Sequence, residues 1–355
     1  MSTTRLDLDD PDALSAADPD GMLGLVEGLG GQLEQGFDLG TAAAGDPWAK
    51  PPSTVVVCGM GGSGIAGDVA RSLLGSRLEV PLVVAKGYRV PAFCGPRTVV
   101  VTISYSGQTE ETLAAYADAR ARGCRLVAVA SGGELLDLAE ADGADAVRIP
   151  SDVPMPRAAL GLLAGSLLGW LTAASGIDLG PEVAEAADAL RRCADRWGPP
   201  SPAGRNEAKA LAGAIGHRTP VIWGSEGIAE AAALRWKCQV NENAKRPAFW
   251  GVLSEVDHNE LEGWSAGSGD RFVLVVLRHP REHPRVDARV QAGVDTLSAS
   301  GLEIHEVRTD EPAPSSALWS LIAMGDFVST YLALRSGVDP MPVPVLSELK
   351  VRLRR

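Results

Sequence analysis

Short unbroken apolar runs punctuate the first 150 residues, at 54–58, 80–85, 99–104, 125–130 and 146–149. Runs without polar alternation mark strands buried on both faces. Mixed stretches at 64–75, 109–122 and 133–141 lie between them with helical spacing. Strand and helix in strict alternation predict a parallel sheet with right-handed crossovers. Upstream, Leu14, Met22, Leu23, Leu25, Val26 and Leu33 give residues 11 to about 38 a helical pattern. These helices are expected to cover the first domain from outside.

Twenty residues without a charge follow, Ala158 to Ile177. That length spans a bilayer, but the segment is diluted with Gly, Ala, Ser and Thr. It also separates two similar soluble halves, so a helix buried between domains is the expectation. Proline at 156 suits the first turn of that helix. A polar helix at 181–197 and the stretch Gly198-Pro199-Pro200-Ser201-Pro202 then mark a linker.

The second half repeats the first. Thr219–Ala229 echoes the strand and turn at 54–66, Arg271–Arg278 echoes 99–104, and Gly301–Val307 echoes Gly123–Val129. Residues 236–264 read as an insertion into this second copy. The chain closes with a helix at 314–336, a turn Asp339-Pro340-Met341-Pro342 and a terminal helix. The cations of that last helix, Lys350, Arg352, Arg354 and Arg355, suit the negative end of its dipole.

Charge and cysteine content narrow the classes. A net charge of −12 with no Lys/Arg block argues against a nucleic-acid binder. Five scattered cysteines without C-x-x-C spacing read as reduced core thiols, neither zinc site nor disulfide framework. The polar, acidic amino terminus does not read as a signal peptide, and a cytoplasmic location is expected.

Two stretches carry the first candidate chemistry. Val57-Cys58-Gly59-Met60-Gly61-Gly62-Ser63-Gly64 runs from a strand through glycines into a helix. Glycines allow close backbone approach, and N–H groups at a helix start favour an anion. The spacing is neither a dinucleotide fingerprint nor an ATP-binding P-loop, because the lysine is missing. A tight strand–helix turn would explain this stretch alone. The second stretch, Ser104-Tyr105-Ser106-Gly107-Gln108-Thr109, again ends a buried strand. Capping of the next helix accounts for one hydroxyl there, not for three. Two such turns on neighbouring parallel strands would form one phosphate cradle beyond the strand ends. Gly61, Gly62, Ser63, Ser104, Ser106 and Thr109 are its candidates. The equivalent turn of the second copy has lost two glycines, and Arg278-His279-Pro280 replaces its serines. Only the first copy is expected to hold a phosphate.

The stretch 236–264 supplies different groups. Asn241-Glu242-Asn243 places a carboxylate between two amides, and Asp257-His258-Asn259 follows. Surface polarity at a helix end is the plain reading. Trp236, Phe249, Trp250 and Trp264 oppose it, since they predict burial around polar groups that then need partners. A half-buried Glu242 suits a general base, and His258 suits proton transfer near neutral pH.

Taken together, GMGGSGIAGD, SYSGQTEET, PRAALG, NENAK with PAF, DHNELEGW and the final DPxPV with ELK resemble the bifunctional phosphoglucose/phosphomannose isomerase family. The resemblance runs from about residue 55 to the end. It implies an α/β fold of two sugar-isomerase (SIS) type, doubly wound parallel-sheet domains joined by a helical linker. The divisions would be an N-terminal helical segment 1–40, a first SIS domain 41–178, a linker helix 179–202, a second SIS domain 203–338, and a C-terminal helix 339–355 returning to the active site. It also implies interconversion of glucose 6-phosphate or mannose 6-phosphate with fructose 6-phosphate through a cis-enediol, without metal or organic cofactor. The working form would be a homodimer whose active sites are shared across the interface.

Carried over by motif, the six cradle residues would hold the phosphate and Glu242 would move the proton. Arg157 would stabilise the enediolate. His258 from the neighbouring subunit and Lys350 would assist ring opening. One position departs: Met341 stands where a threonine is associated with acceptance of both C2 epimers, which places the mannose activity in question. A non-catalytic sugar-phosphate sensor, or an isomerase of another phosphosugar, are the competing readings. Neither a helix-turn-helix segment before Ala42 nor a glutamine-hydrolysing domain is apparent in the chain to support them.

Overall fold

Valines 55 and 57 point to one face of their strand and Val56 and Cys58 to the other, and both faces are buried. That two-sided burial requires helices above and below the sheet, and the structure supplies them. The structure is a computed structural model and describes residues 6–264, 269–298 and 300–353; Arg354 and Arg355 lie outside the described residues.

The chain opens with α1 (Pro11–Ala17), α2 (Met22–Glu27) and α3 (Leu29–Ala43). The first α/β unit follows: β1 (Thr54–Gly59), α4 (Gly61–Leu74), β2 (Leu82–Ala85), β3 (Thr98–Ile103), α5 (Glu110–Ala121), β4 (Arg125–Ala130), α6 (Glu134–Ala141) and β5 (Asp145–Arg148). A 3-10 turn, Pro156–Ala159, leads into α7 (Leu160–Ser175), then α8 (Gly180–Trp197) and α9 (Glu207–Ile215). The second unit is β6 (Thr219–Ser225), α10 (Ile228–Asn243), β7 (Phe249–Leu253), a 3-10 turn at Glu255–His258, α11 (Glu260–Trp264), β8 (Phe272–Arg278), α12 (Pro284–Ser298) and β9 (Glu303–Arg308). Then come α13 (Pro314–Arg335) and α14 (Pro344–Leu353).

All strand pairings are parallel, in the orders β2-β1-β3-β4-β5 and β7-β6-β8-β9. In this doubly wound order the chain reverses direction across the sheet between β1 and β3, where ligands bind beyond the strand ends. The apolar alternation is spent on two different neighbours. Val55, Val57, Val99 and Val101 join a central core continuous with Ile222, Val273 and Val275 of the second sheet. Val56 and Val100 pack outward under α5 and α6, and Val221 and Leu274 pack under α12.

Two expectations change here. Residues 236–264 are no insertion: Phe249–Leu253 is β7, which pairs with β6 as β2 pairs with β1. The run FWGVL follows a polar helix end and is only half-buried, so it lacks the unbroken apolar signature of the other strands. Helix α4 begins at Gly61, three residues before the expected start, so the glycines form its first turn. Helix α3 presents one face to solvent, with Gly31, Gln35, Asp38 and Thr41 exposed. It packs on α7 and α8, with Leu29 and Leu33 inside the core.

The glycines that dilute α7 explain its closeness to α3. A Cβ at Gly40 would lie 2.0 Å from the Ser166 carbonyl oxygen, and one at Gly165 would lie 2.3 Å from that of Leu33. The two helices touch backbone to backbone, which larger residues would prevent. The helical segment Pro156–Ser175, the 3-10 turn with α7, and α13 are each long and apolar enough to cross a membrane, and both are packed inside the fold. The domains meet along α4 and α10, where Arg71 pairs with Glu230 at 3.1 Å and Ser72 Oγ donates to the Gly227 carbonyl at 2.9 Å.

Candidate active site

The two turns of the first domain meet as the strand order requires. Ser63, in the first turn of α4, is buried, and its Oγ accepts from the Tyr105 N–H at 3.2 Å. Beyond β3, Ser104 Oγ and Thr109 Oγ1 lie 2.9 Å apart, and Ser106 Oγ accepts from the Gln108 N–H at 3.3 Å. Thr109 occupies the N-cap of α5 but makes no side-chain cap bond, and Met60 at the N-cap of α4 has none to give. Both helix starts thus keep first-turn N–H groups that no capping side chain takes, on adjacent strands. Hydroxyls and N–H groups together suit a phosphate, which needs donors more than counter-charge.

Gly62 links this cradle to the next group. A Cβ there would lie 2.9 Å from the Pro156 carbonyl oxygen and 3.0 Å from the Arg157 backbone. The first turn of α4 therefore rests on the 3-10 turn that presents Arg157. The Arg157 side chain is 3% exposed and reaches into the second domain. Its Nε donates to Asn243 Oδ1 at 2.9 Å, and its Nη2 donates to the carbonyls of Pro340 and Met341, each at 2.7 Å. Nη1 lies 3.5 Å from Glu242 Oε2. Burial pushes the Arg157 pKa down and nearby Arg235 adds to this, while Glu242 opposes it. An arginine stays charged even so.

Glu242 sits in the last turn of α10 with its side chain 26% exposed, open on one side and paired with Arg157 on the other. Asn243 beside it is buried, and its Nδ2 donates to Ser329 Oγ of α13 at 3.0 Å. Behind them Arg235 and Asp326 form a fully buried pair at 2.7 Å, and Arg235 Nη2 donates to the Arg157 carbonyl at 2.9 Å. Burying two charges is tolerable only when they pair and fill their hydrogen bonds. This pair does both, and it fixes the backbone that carries Arg157.

Past α10 the chain turns at Lys245, whose φ is +54°. For a non-glycine residue that left-handed conformation costs about 1–2 kcal/mol. Its Nζ folds back to donate to the carbonyls of Glu242 at 2.7 Å, Asn243 at 3.2 Å and Pro340 at 2.9 Å. Burial and the Arg157 charge lower the Lys245 pKa to about 8, against the pull of Asp339 and Glu242.

The structure thus gathers Gly61, Gly62, Ser63, Ser104, Ser106 and Thr109 at one end, with Arg157 and Glu242 beyond them. It does not bring in His258 or Lys350 from the same chain. His258 is exposed in the 3-10 turn after β7, and Lys350 is exposed on α14, in which no described residue is buried. Neither makes a hydrogen bond or ion pair to Glu242 or Arg157 among the described residues. Within one chain it is the strap 339–341, not the terminal helix, that returns to the site. The expected aromatic enclosure is also partial. Trp236 is buried, with Nε1 donating to the Leu321 carbonyl, whereas Phe249 is 55% exposed and Trp250 and Trp264 are half-buried.

Sequence reasoning passed over Lys245, Ser329 and the Arg235–Asp326 pair. Asp326 had a signal: it is the lone charge in the apolar run from Pro314 to Leu334, and such a charge must pair when buried. In the second domain, the position equivalent to the cradle is filled from within. Ser225 Oγ lies 3.2 Å from His279 Nε2 and donates to Glu282 Oε1 at 3.2 Å, while Arg278 Nε donates to Glu282 Oε2 at 2.8 Å. Among the described residues no group of three or more His, Cys, Asp or Glu could hold a metal.

Comparison with known proteins places this geometry. Residues 204–353 match the model for the bacterial phospho-glucose isomerase C-terminal SIS domain. A bifunctional phosphoglucose/phosphomannose isomerase of Caldicellulosiruptor bescii is 34% identical over 331 residues, 92% of this chain and 97% of that protein. The protein of the same description from Aquifex aeolicus is 32% identical over 307 residues, 86% of this chain and 92% of its own. In structure, a hypothetical protein from Thermus thermophilus superposes with a TM-score of 0.74 over 97% of this chain and 93% of its own, at 19% identity.

Proposed function

Because the chain belongs to the bifunctional phosphoglucose/phosphomannose isomerase family, we propose that it interconverts glucose 6-phosphate or mannose 6-phosphate with fructose 6-phosphate at the site between its two domains. The observation that carries this reading is the contact sequence from cradle to carboxylate. Gly62 rests on the Arg157 backbone, and the Arg157 side chain lies 3.5 Å from Glu242. A phosphate held at one end thereby sets the distance of the sugar's first two carbons from the carboxylate at the other.

The roles follow from the groups. With the ring open, the Glu242 carboxylate takes the proton from carbon 2 of the aldose, and the electron pair moves through the new double bond onto the carbonyl oxygen. The same carboxyl returns that proton to carbon 1 while the hydroxyl proton on oxygen 2 passes to oxygen 1, so the carbonyl forms at carbon 2 and the ketose results. Charge that grows on the enediol oxygens meets the Arg157 guanidinium, already fixed by its carbonyl partners, so little reorganisation accompanies the step.

Ring opening needs a further proton carrier, and His258 takes that part from a second copy of the chain. The unpartnered apolar residues Val345, Leu346, Leu349, Val351 and Leu353 of α14 support such pairing, which would cover them and place Lys350 at the shared site. One experiment tests both parts. Glu242→Gln is expected to bind fructose 6-phosphate and to lose about 10³-fold or more in kcat, on glucose 6-phosphate and mannose 6-phosphate alike. A His258→Asn variant is expected to be impaired alone, and to regain activity when mixed and re-annealed with Glu242→Gln. Near-wild-type turnover by Glu242→Gln removes the carboxylate from the mechanism, and absence of complementation removes the shared site.

A further inference from the structure

Helix C-termini that enter the left-handed region do so mostly at glycine, because a Cβ is disfavoured there. Among the described residues Lys245 is the non-glycine residue with positive φ. It sits two residues after the end of the helix that carries Glu242. Backbone strain of this kind persists where the surroundings use the side chain, and here the use is visible. The ammonium spans the last two carbonyls of α10, which lack helical partners, and the Pro340 carbonyl of the strap. Arg157 Nη2 donates to that same Pro340 oxygen. Two cations from different elements therefore grip one carbonyl, with Glu242 between them.

We propose that Lys245 is a positioning residue for the isomerisation. Its ammonium locks the end of α10 onto the Asp339–Met341 strap and so sets the Glu242 carboxylate against the Arg157 guanidinium. The inference rests on the reading of Glu242 as the proton carrier. The ammonium bonds backbone carbonyls and none of the cradle residues. It acts through the backbone carbonyls of Glu242 and Asn243.

The charged groups around it are Arg157 from the 3-10 turn, Glu242 from α10 and Asp339 from the strap. The protonated amine has three donors for its three carbonyls, and the neutral amine has two. Its charge is lost as pH rises through about 8, and one carbonyl then loses its partner. Turnover limited by Glu242 placement is expected to decline over the same interval.

Lys245→Gly tests this, since glycine removes the ammonium and relieves the strain together. The expected result is a folded protein with an unchanged or raised melting temperature and a KM for fructose 6-phosphate within about twofold of wild type. Its kcat is expected to fall about 10–100-fold, the cost of a displacement near 1 Å. Lys245→Arg is expected to recover part of kcat and to move the alkaline decline upward, because arginine does not deprotonate there. Should the glycine variant fail to fold, Lys245→Gln gives the same kinetic reading with the backbone conformation kept. Wild-type kcat in the glycine variant, or a loss confined to KM, overturns the proposal. An active Glu242→Gln would instead fault the underlying mechanism, whereas an inactive Glu242→Gln beside a fully active Lys245→Gly faults Lys245 alone.

Discussion

Replacing Arg157 with lysine keeps the buried charge and removes the fork, so it separates two things the guanidinium supplies. A lysine Nζ falls near the position of the arginine Cζ, and a methylene takes the place of Nε. Asn243 Oδ1, which now accepts from Nε at 2.9 Å inside the protein, is left without that donor. A buried acceptor orphaned in this way costs about 1–3 kcal/mol. The Pro340 carbonyl keeps Lys245, but the Met341 carbonyl depends on Nη2 at 2.7 Å and is held more weakly by a shorter side chain. Together the expected loss of stability is about 2–4 kcal/mol, read as a shift of the urea midpoint at constant m.

The kinetic loss has a separate origin. Nη1, 3.5 Å from Glu242, is the nitrogen left over once the carbonyls and the amide are satisfied, and lysine has no counterpart to it. Removing one preorganised donor at a developing oxyanion costs about 10²–10³-fold in kcat. The assay is the initial rate of glucose 6-phosphate formation from fructose 6-phosphate, followed through a coupled dehydrogenase. KM is expected to change little, because other residues hold the phosphate. An Arg157→Lys enzyme with kcat within about threefold of wild type would refute the argument, since charge alone would then suffice. Unchanged stability would show that the carbonyl and amide bonds contribute nothing net.

Two further predictions address the cradle and its filled counterpart. Gly107→Ala places a side chain at φ +64° and 1.8 Å from the Gly132 carbonyl oxygen. The conformation costs about 1–2 kcal/mol and the overlap about 1–3 more, so both the melting temperature and inorganic phosphate affinity should fall; an unchanged melting temperature contradicts the geometry. His279 is held down to about 4 by burial and by Arg278 and Arg281. Its folded value lies below its unfolded one, so its contribution to stability is complete above about pH 6.5 and is lost as pH falls toward 4. His279→Gln is expected to flatten the pH dependence of the urea midpoint across that window, and an identical slope would show that other groups set it.

The alternation of apolar strands with helices, the two strand-end turns and the NEN segment are legible in the chain, because each depends on residues within a few positions of one another. Burial on both faces writes itself as an unbroken apolar run, and a phosphate turn writes itself as glycines and hydroxyls where that run stops. β7 escaped notice because a half-buried edge strand keeps no such run. Packing alone decided that Arg157 would find Asn243 across 86 positions and Pro340 across 183. Hydrogen bonds over those separations leave no periodic trace. Tertiary structure likewise decided that His258 and Lys350 lie in solvent, and that the residue closing the end of α10 is a lysine in a glycine's conformation. A motif records which groups are supplied, whereas the partner each group meets is settled when helices from both domains close on one core.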